Sequence, residues 1–232
     1  MPFQQLILIP GLLCDETVFT PLIASLPDGV RAFVPELTEQ TTISHMAEEV
    51  LARAESRFSL LGFSMGGRVA LECMRLAPER VEKLALLDTG VHPARSGEEQ
   101  KRQVLVDLAY QQGMEALAKQ WLPPMIAAAN RRNSELVTTL TTMVCRQTPE
   151  IHQNQIQALL TRPDAGLELS KIRCPTLLAV GEQDQWSPVS QHEEMAADID
   201  DAHLSVIREA GHFALLENPD EVNKAVLRWL SG

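Results

Sequence analysis

Residues 62–67 read Gly-Phe-Ser-Met-Gly-Gly, placing Ser64 between glycines at the spacing G-x-S-x-G. A serine hydroxyl is a poor nucleophile at neutral pH and needs an adjacent base to take its proton. The candidate bases are His45, His92, His152, His192, His203 and His212. His212 stands in Ala-Gly-His-Phe at 210–213, in a loop after the last expected strand. A loop beyond a parallel strand delivers its side chain to the carboxyl edge of the sheet, where ligands bind. His45 falls on a helix after the second strand, His152 and His192 on polar helix faces where a solvated ring is expected, and His203 inside a strand. His92 follows a strand end but opens a helical region.

An imidazole base needs a carboxylate to fix its tautomer and to stabilise the imidazolium. Asp184 lies in the turn Gly181-Glu182-Gln183-Asp184, one strand before the histidine loop. Asp88, at the end of the strand after the serine, competes for the role, and Glu182 is a weaker rival in the same turn. Attack by Ser64 on a carbonyl would create an oxyanion that needs two preorganised donors. One is the backbone N–H of Met65. The other is the N–H of Leu12, in the loop Ile9-Pro10-Gly11-Leu12-Leu13-Cys14-Asp15.

The elements that must position these groups are legible as short apolar runs alternating with helical patterns, the signature of parallel strands with crossover helices. Strands are expected at 6–9, 31–34, 58–62, 84–87, 176–180 and 203–207, and helices at 16–26, from Thr42 or Ser44 to 55, at 65–77, and after Pro188 and Pro219. The continuous apolar run 176–180 implies burial on both faces. The helix after Ser64 points its N-terminus, with unpaired N–H groups and a positive dipole end, at the serine. Between 91 and 170 the pattern changes to helices at 98–111, 114–121, 134–145 and 149–160, punctuated by Pro123-Pro124 and Arg162-Pro163. The expected organisation is a core of 1–90 and 171–232 with 91–170 inserted as a helical lid over the carboxyl edge. Leu12, Leu13, Met65 and Phe213 would then surround Ser64, with Trp121, Leu122, Met125 and Ile126 added from the lid.

Leu-Leu-Gly-Phe-Ser-Met-Gly-Gly-Arg-Val-Ala at 60–70, Val-Gly-Glu-Gln-Asp-Gln-Trp-Ser-Pro at 180–188 and Ala-Gly-His-Phe at 210–213 resemble the α/β-hydrolase superfamily along essentially the whole chain. The resemblance is to a compact, serine-esterase-like member. It implies an α/β fold, a mostly parallel six-stranded sheet flanked by helices with a helical lid insertion, and the order Ser64, Asp184, His212 matches the order of that family. It also implies acylation of Ser64 followed by hydrolysis, with neither a metal nor an organic cofactor. Some members carry their acid where Asp88 stands. Related enzymes often have His-Gly where this chain has Pro10-Gly11, so a side chain that braces the oxyanion loop is missing. Arg68 adds a second expectation. In a relative that makes a menaquinone precursor by eliminating pyruvate, an arginine at this place contacts a substrate carboxylate. A lyase or carbon–carbon bond hydrolase is therefore the alternative to a carboxylesterase, and a non-catalytic binding protein of the same fold is a third reading. Ser64 disfavours the dehalogenases and epoxide hydrolases of the fold, which use aspartate as nucleophile.

The 232 residues suit one α/β domain with a modest insertion. The net charge of −11 disfavours nucleic acid as a partner, and the acids are scattered as on solvated helix faces. No basic n-region opens the chain, and no apolar run approaches the ~18 residues of a membrane span. Cys14, Cys73, Cys145 and Cys174 form no C-x-x-C pair and have no histidine at zinc-ligand spacing. They read as reduced thiols of a cytoplasmic protein. The expected partner is a small ester-like molecule, with no membrane; the oligomeric state is not encoded in any visible pattern.

Overall fold

The structure, a computed structural model, describes residues 4–232. Residues 1–3, on which the expectation about the opening of the chain falls, lie outside the described part. Among the described residues one six-stranded sheet runs β1 (Gln4–Ile9), β2 (Val30–Phe33), β3 (Phe58–Phe63), β4 (Val81–Leu87), β5 (Thr176–Gly181) and β6 (Ala202–Ile207). The spatial order is β2-β1-β3-β4-β5-β6, and every neighbouring pair is parallel. Leu6 to Ile9, all of β3 and all of β5 are buried, as a sheet covered on both faces requires.

Helices α1 (Thr20–Ser25), α2 (Ile43–Arg53), α3 (Met65–Leu76), α4 (Glu98–Gln112), α5 (Met114–Trp121), α6 (Ser134–Cys145), α7 (Pro149–Leu160), α8 (Val189–Asp198), α9 (Ala214–Glu217) and α10 (Pro219–Ser231) complete the chain. Helix α2 starts where Thr42 accepts a hydrogen bond from the His45 N–H, 3.1 Å away, satisfying one orphan donor of the first turn. Asn218 caps α10 in the same way through the Glu221 N–H. The expected single helix over 16–26 is instead a 3-10 turn, Glu16–Phe19, followed by α1. Asp15 caps the 3-10 turn at the Thr17 N–H, and Pro21 stands in the first turn of α1, where its missing N–H costs nothing but where it cannot continue an earlier helix. Helices α4 to α7 occupy the interval between β4 and β5. None of the helices among the described residues is long and apolar enough to cross a membrane.

The sheet order reverses between β1 and β3, because the chain goes from β1 to one side and then returns to the other. Crevices open at such switch points, outside the carboxyl ends of the strands. Register carries one row across the sheet: Ile9 opposite Gly62, Gly62 opposite Leu86, Leu86 opposite Leu178, Leu178 opposite Leu204. The loops after these strands therefore leave at one edge and at similar depth. They carry Leu12, Ser64, Asp88, Asp184 and His212.

The turn after β3 is possible only with glycine. A Cβ on Gly66 would stand 2.0 Å from the Ile9 carbonyl oxygen, and one on Gly62 would stand 2.3 Å from the Gly66 carbonyl oxygen. Both obstacles are backbone, so nothing can swing aside. Gly66→Ala is expected to destabilise the protein by about 3 kcal/mol or more, read from urea unfolding. A loss below about 1 kcal/mol would mean that β1 and α3 are not held this close.

Candidate active site

Ser64 takes φ 53° and ψ −114°, a left-handed backbone that a non-glycine residue adopts only when its surroundings over-determine it. Here they do. The Ser64 N–H donates to the Leu87 carbonyl at 2.9 Å, its own carbonyl accepts from the Gly67 N–H at 3.0 Å, and that same oxygen accepts from the Thr89 hydroxyl at 2.6 Å. The strain points Oγ out of the turn toward the crevice.

His212 meets it there. Ser64 Oγ–H donates to His212 Nε2 at 2.8 Å, and His212 Nδ1–H donates to Asp184 Oδ2 at 2.8 Å. Asp184 is buried, and its other bonds come from its own turn. Oδ1 accepts from the N–H groups of Trp186 (2.8 Å) and Ser187 (3.2 Å), and Oδ2 accepts from the Ser187 hydroxyl at 2.6 Å. Burial works against its charge, yet the His212 ring, the Ser187 hydroxyl and the Trp186 N–H together hold the carboxyl below its ordinary pKa. The arrangement can transfer a proton from hydroxyl to imidazole while the carboxylate fixes the tautomer.

Asp88 does not join this chain of bonds. Its Oδ1 accepts from the Gly181 N–H at 2.8 Å, and its Oδ2 is buried with no hydrogen-bond partner among the described residues. Burial, and then the charge of Asp184, push its pKa well above the ordinary carboxylate value. Two carboxyl groups at one edge are thus driven apart, Asp184 toward its charged form and Asp88 toward its protonated form. Glu182 is exposed and accepts from the Glu209 N–H.

Gly11 presses directly on the serine: a Cβ there would lie 3.2 Å from Ser64 Cβ. Leu12 and Met65 line the same cavity as Ser64 and His212, which encloses about 110 Å³. Met65 is the first residue of α3, so its N–H has no acceptor within the helix. The Leu12 N–H has none among the described residues.

A family model described as the alpha/beta hydrolase family matches residues 6–225. The chain belongs to the alpha/beta hydrolase family. It is similar to an esterase from Thermogutta terrifontis solved with malate bound, with 27% identity, a TM-score of 0.92, and coverage of 99% of this chain and 90% of that one. An enol-lactonase from Burkholderia xenovorans LB400 superposes with a TM-score of 0.89 over 100% of this chain and 93% of that one, at 22% identity. A 2-hydroxy-6-oxononadienedioate/2-hydroxy-6-oxononatrienedioate hydrolase of Pseudomonas putida is 28% identical over 183 residues, 75% of this chain. The chain spans 63% of that relative's length.

In this hydrolase the brace of the loop after β1 comes from far along the sequence. Gln155 of α7 accepts from the Leu13 N–H at 2.8 Å and donates to the Leu37 carbonyl at 2.9 Å. Leu13 itself sits at φ 58°. Pro10 cannot supply such a bond, and nothing local to the loop pointed to Gln155. Glu217 is a second residue the sequence did not single out. Its Oε1 accepts from the N–H groups of Gly211 and Phe213, the two neighbours of His212, and its Oε2 accepts from the Ala127 N–H and the Asn130 amide. The His212 N–H donates to the Met125 carbonyl at 2.8 Å. The histidine loop is thus tied to segment 125–130.

Two histidines depart from expectation. His152 and His192 are fully buried rather than solvated. His192 Nε2 accepts from the Thr89 N–H, behind the serine turn, while neither ring nitrogen of His152 has a partner among the described residues. Cys14 is buried too. Its thiol donates to the Leu12 carbonyl, and burial followed by the Asp15 charge keeps it protonated. Of the apolar set expected around Ser64, Leu12, Met65, Trp121 and Met125 line the cavity; Leu13, Leu122, Ile126 and Phe213 pack in the core beside it. Arg68, Asp88, Arg102, Ser187 and Gln191 also line it, so it is more polar than the sequence suggested.

Replacing each aspartate with asparagine separates the two. Asp184→Asn should slow turnover of a chromogenic ester by about 10⁴-fold, and Asp88→Asn by less than about tenfold; the reverse ranking would move the orienting role to Asp88. The same pair tests the titration. The native Asp88 carboxyl holds a proton that the unfolded chain releases as pH rises past the ordinary value of 3.8, so this group makes the wild type lose stability with rising pH. The stability advantage of Asp88→Asn over wild type, from urea unfolding, should be larger at about pH 8 than at about pH 5. An advantage that shrinks with pH would mean Asp88 is ionised.

Proposed function

We propose that this chain is a serine hydrolase that cleaves a carboxylic ester of a small to medium, partly apolar molecule through an acyl-enzyme. The observation that carries the reading is the unbroken Ser64–His212–Asp184 chain of two 2.8 Å hydrogen bonds at the mouth of a cavity. Ser64 Oγ attacks the ester carbonyl as His212 Nε2 takes its proton. The oxyanion is received by the N–H groups of Leu12 and Met65, with the positive end of α3 beneath it. His212 returns the proton to the leaving alcohol, and water then takes the place of serine in the second half-reaction. Helices α4 to α7 act as the lid: Trp121, Met125 and Leu159 face Ser64 across the cavity and would exclude bulk water from the bound ester. The four unpaired cysteines suit a reducing, cytoplasmic setting.

A second reading has one observation in its favour. Arg68, one helical turn after the nucleophile, reaches into the serine cavity, where it would meet a carboxylate-bearing substrate such as a lyase or carbon–carbon bond hydrolase takes. The Pseudomonas putida relative, named as a hydrolase of dioates, agrees with that direction. The ester reading is preferred because nothing in the site requires more than acyl transfer to water.

A fluorophosphonate probe should label the wild type and leave Ser64→Ala unlabelled, and 4-nitrophenyl acetate or butyrate should be turned over with saturation. Labelling that survives in Ser64→Ala would remove the nucleophile. Labelling without turnover of any simple ester would favour the second reading, and neither labelling nor turnover would favour a binding protein.

A further inference from the structure

The backbone N–H groups of Gly211, His212 and Phe213 are all taken, and two of them go to one oxygen. Glu217 Oε1 accepts from Gly211 at 3.0 Å and from Phe213 at 3.2 Å, while the His212 N–H donates to the Met125 carbonyl at 2.8 Å. Glu217 Oε2 accepts from the Ala127 N–H at 2.8 Å and the Asn130 amide at 2.9 Å. One side chain thus takes two donors from the histidine loop and two from segment 125–130, between α5 and α6.

The loop does not hold its own shape. Glu209, at its start, takes φ 56°, a backbone that persists in a residue with a side chain only when its surroundings impose it. Its carbonyl accepts from the same Asn130 amide nitrogen at 2.8 Å, and its N–H donates to Glu182. The contact with segment 125–130 is backbone on backbone. A Cβ on Gly211 would stand 2.5 Å from the Met125 carbonyl oxygen and 2.7 Å from the Ala127 nitrogen. Met125 in turn lines the serine cavity beside Trp121.

The chemistry explains why the clasp is a carboxylate. Four N–H donors need a side chain with two oxygens and no donor of its own. Burial raises the Glu217 pKa, against the bonds from Asn130, Ala127, Gly211 and Phe213. A partly buried anion is costly unless such donors are held in place. Glutamine has the same shape but one accepting end. Its NH₂ would face two N–H groups, either those flanking His212 or those of segment 127–130.

We infer that Glu217 is a positioning residue for the base, clasping the His212 loop to segment 125–130 so that the imidazole stays within reach of Ser64. It does not line the serine cavity and acts only through His212. The inference rests on the serine-hydrolase reading for its effect on rate; the placement of the imidazole is read separately.

Glu217→Gln keeps the size of the side chain and halves its accepting capacity. Its kcat for 4-nitrophenyl butyrate, per site titrated with a fluorophosphonate, should fall about a hundredfold, with KM changed less than about threefold. In a His212→Gln background the same substitution should lower turnover less than about twofold, because the group it positions is gone. A glutamate that only stabilises the fold would lower the melting temperature and the fraction of titratable sites and leave kcat per site unchanged. That result, or an equal loss with and without His212, would overturn the inference. Asn130→Ala, which keeps the carboxylate and removes one of its donors, serves if Glu217→Gln does not fold; its kcat should fall about two- to tenfold, and no change would overturn the clasp. Proton NMR reads the imidazole directly. The resonance of His212 Nδ1–H on Asp184, identified by its absence in His212→Gln, should broaden or vanish in Glu217→Gln. That response in a wild type that turns over no ester would sink the hydrolase reading and keep the clasp. Full ester turnover by Glu217→Gln with an unchanged resonance would do the opposite.

Discussion

The structure depends on an imidazole held by both of its nitrogens. His212 must face Ser64 with one and Asp184 with the other, and the three residues are separated by most of the chain. A parallel sheet solves this because every strand ends at the same edge. β3, β5 and β6 deliver the three groups there, and the register row from Ile9 to Leu204 keeps the loops in step. The final alignment is the work of the loops. The carbonyl of Met125 and the carboxylate of Glu217 fix the backbone on either side of His212. The Phe213 ring packs against Phe63 and Trp121, joining β3 and α5 to the histidine loop.

This wiring couples the helices above the site to its chemistry. Glu217 binds the histidine loop through one oxygen and segment 127–130 through the other. Gln155 of α7 likewise holds the Leu12–Leu13 loop. A displacement of these helices would therefore disturb the His212 loop and the Leu12–Leu13 loop together.

What was legible in the sequence is what backbone periodicity and local sterics dictate. The six strands are present within a few residues of expectation, because continuous apolar runs between turn residues leave no other buried arrangement. β4 starts three residues earlier than expected, at Val81, because Glu82 and Lys83 keep partly exposed places on it and break the apolar run. The sharp turn at Ser64 was readable because its glycines are forced by backbone collisions, and the meeting of Ser64, Asp184 and His212 followed from the shared edge. What could not be read were contacts between distant segments. Gln155 and Glu217 look like ordinary polar helix residues in the sequence. His152 and His192 lie in polar stretches, yet both face inward, because α7 and α8 pack with that side against their neighbours. A helix shows its polarity in one dimension, whereas which face is covered is decided by tertiary packing. The polar character of the serine cavity was hidden for the same reason: Arg68 and Arg102 lie on different helices and meet only in three dimensions.

The central claim is that Ser64, activated by His212, becomes covalently acylated during turnover. Mixing the enzyme with excess 4-nitrophenyl butyrate, quenching in acid within the first turnover, and mapping the intact and digested protein by mass spectrometry tests it directly. The account predicts a butyryl group on the peptide containing Ser64, formed with a burst of nitrophenol and absent in His212→Gln. Product formed without any acylated peptide, or acylation at another residue, would contradict it.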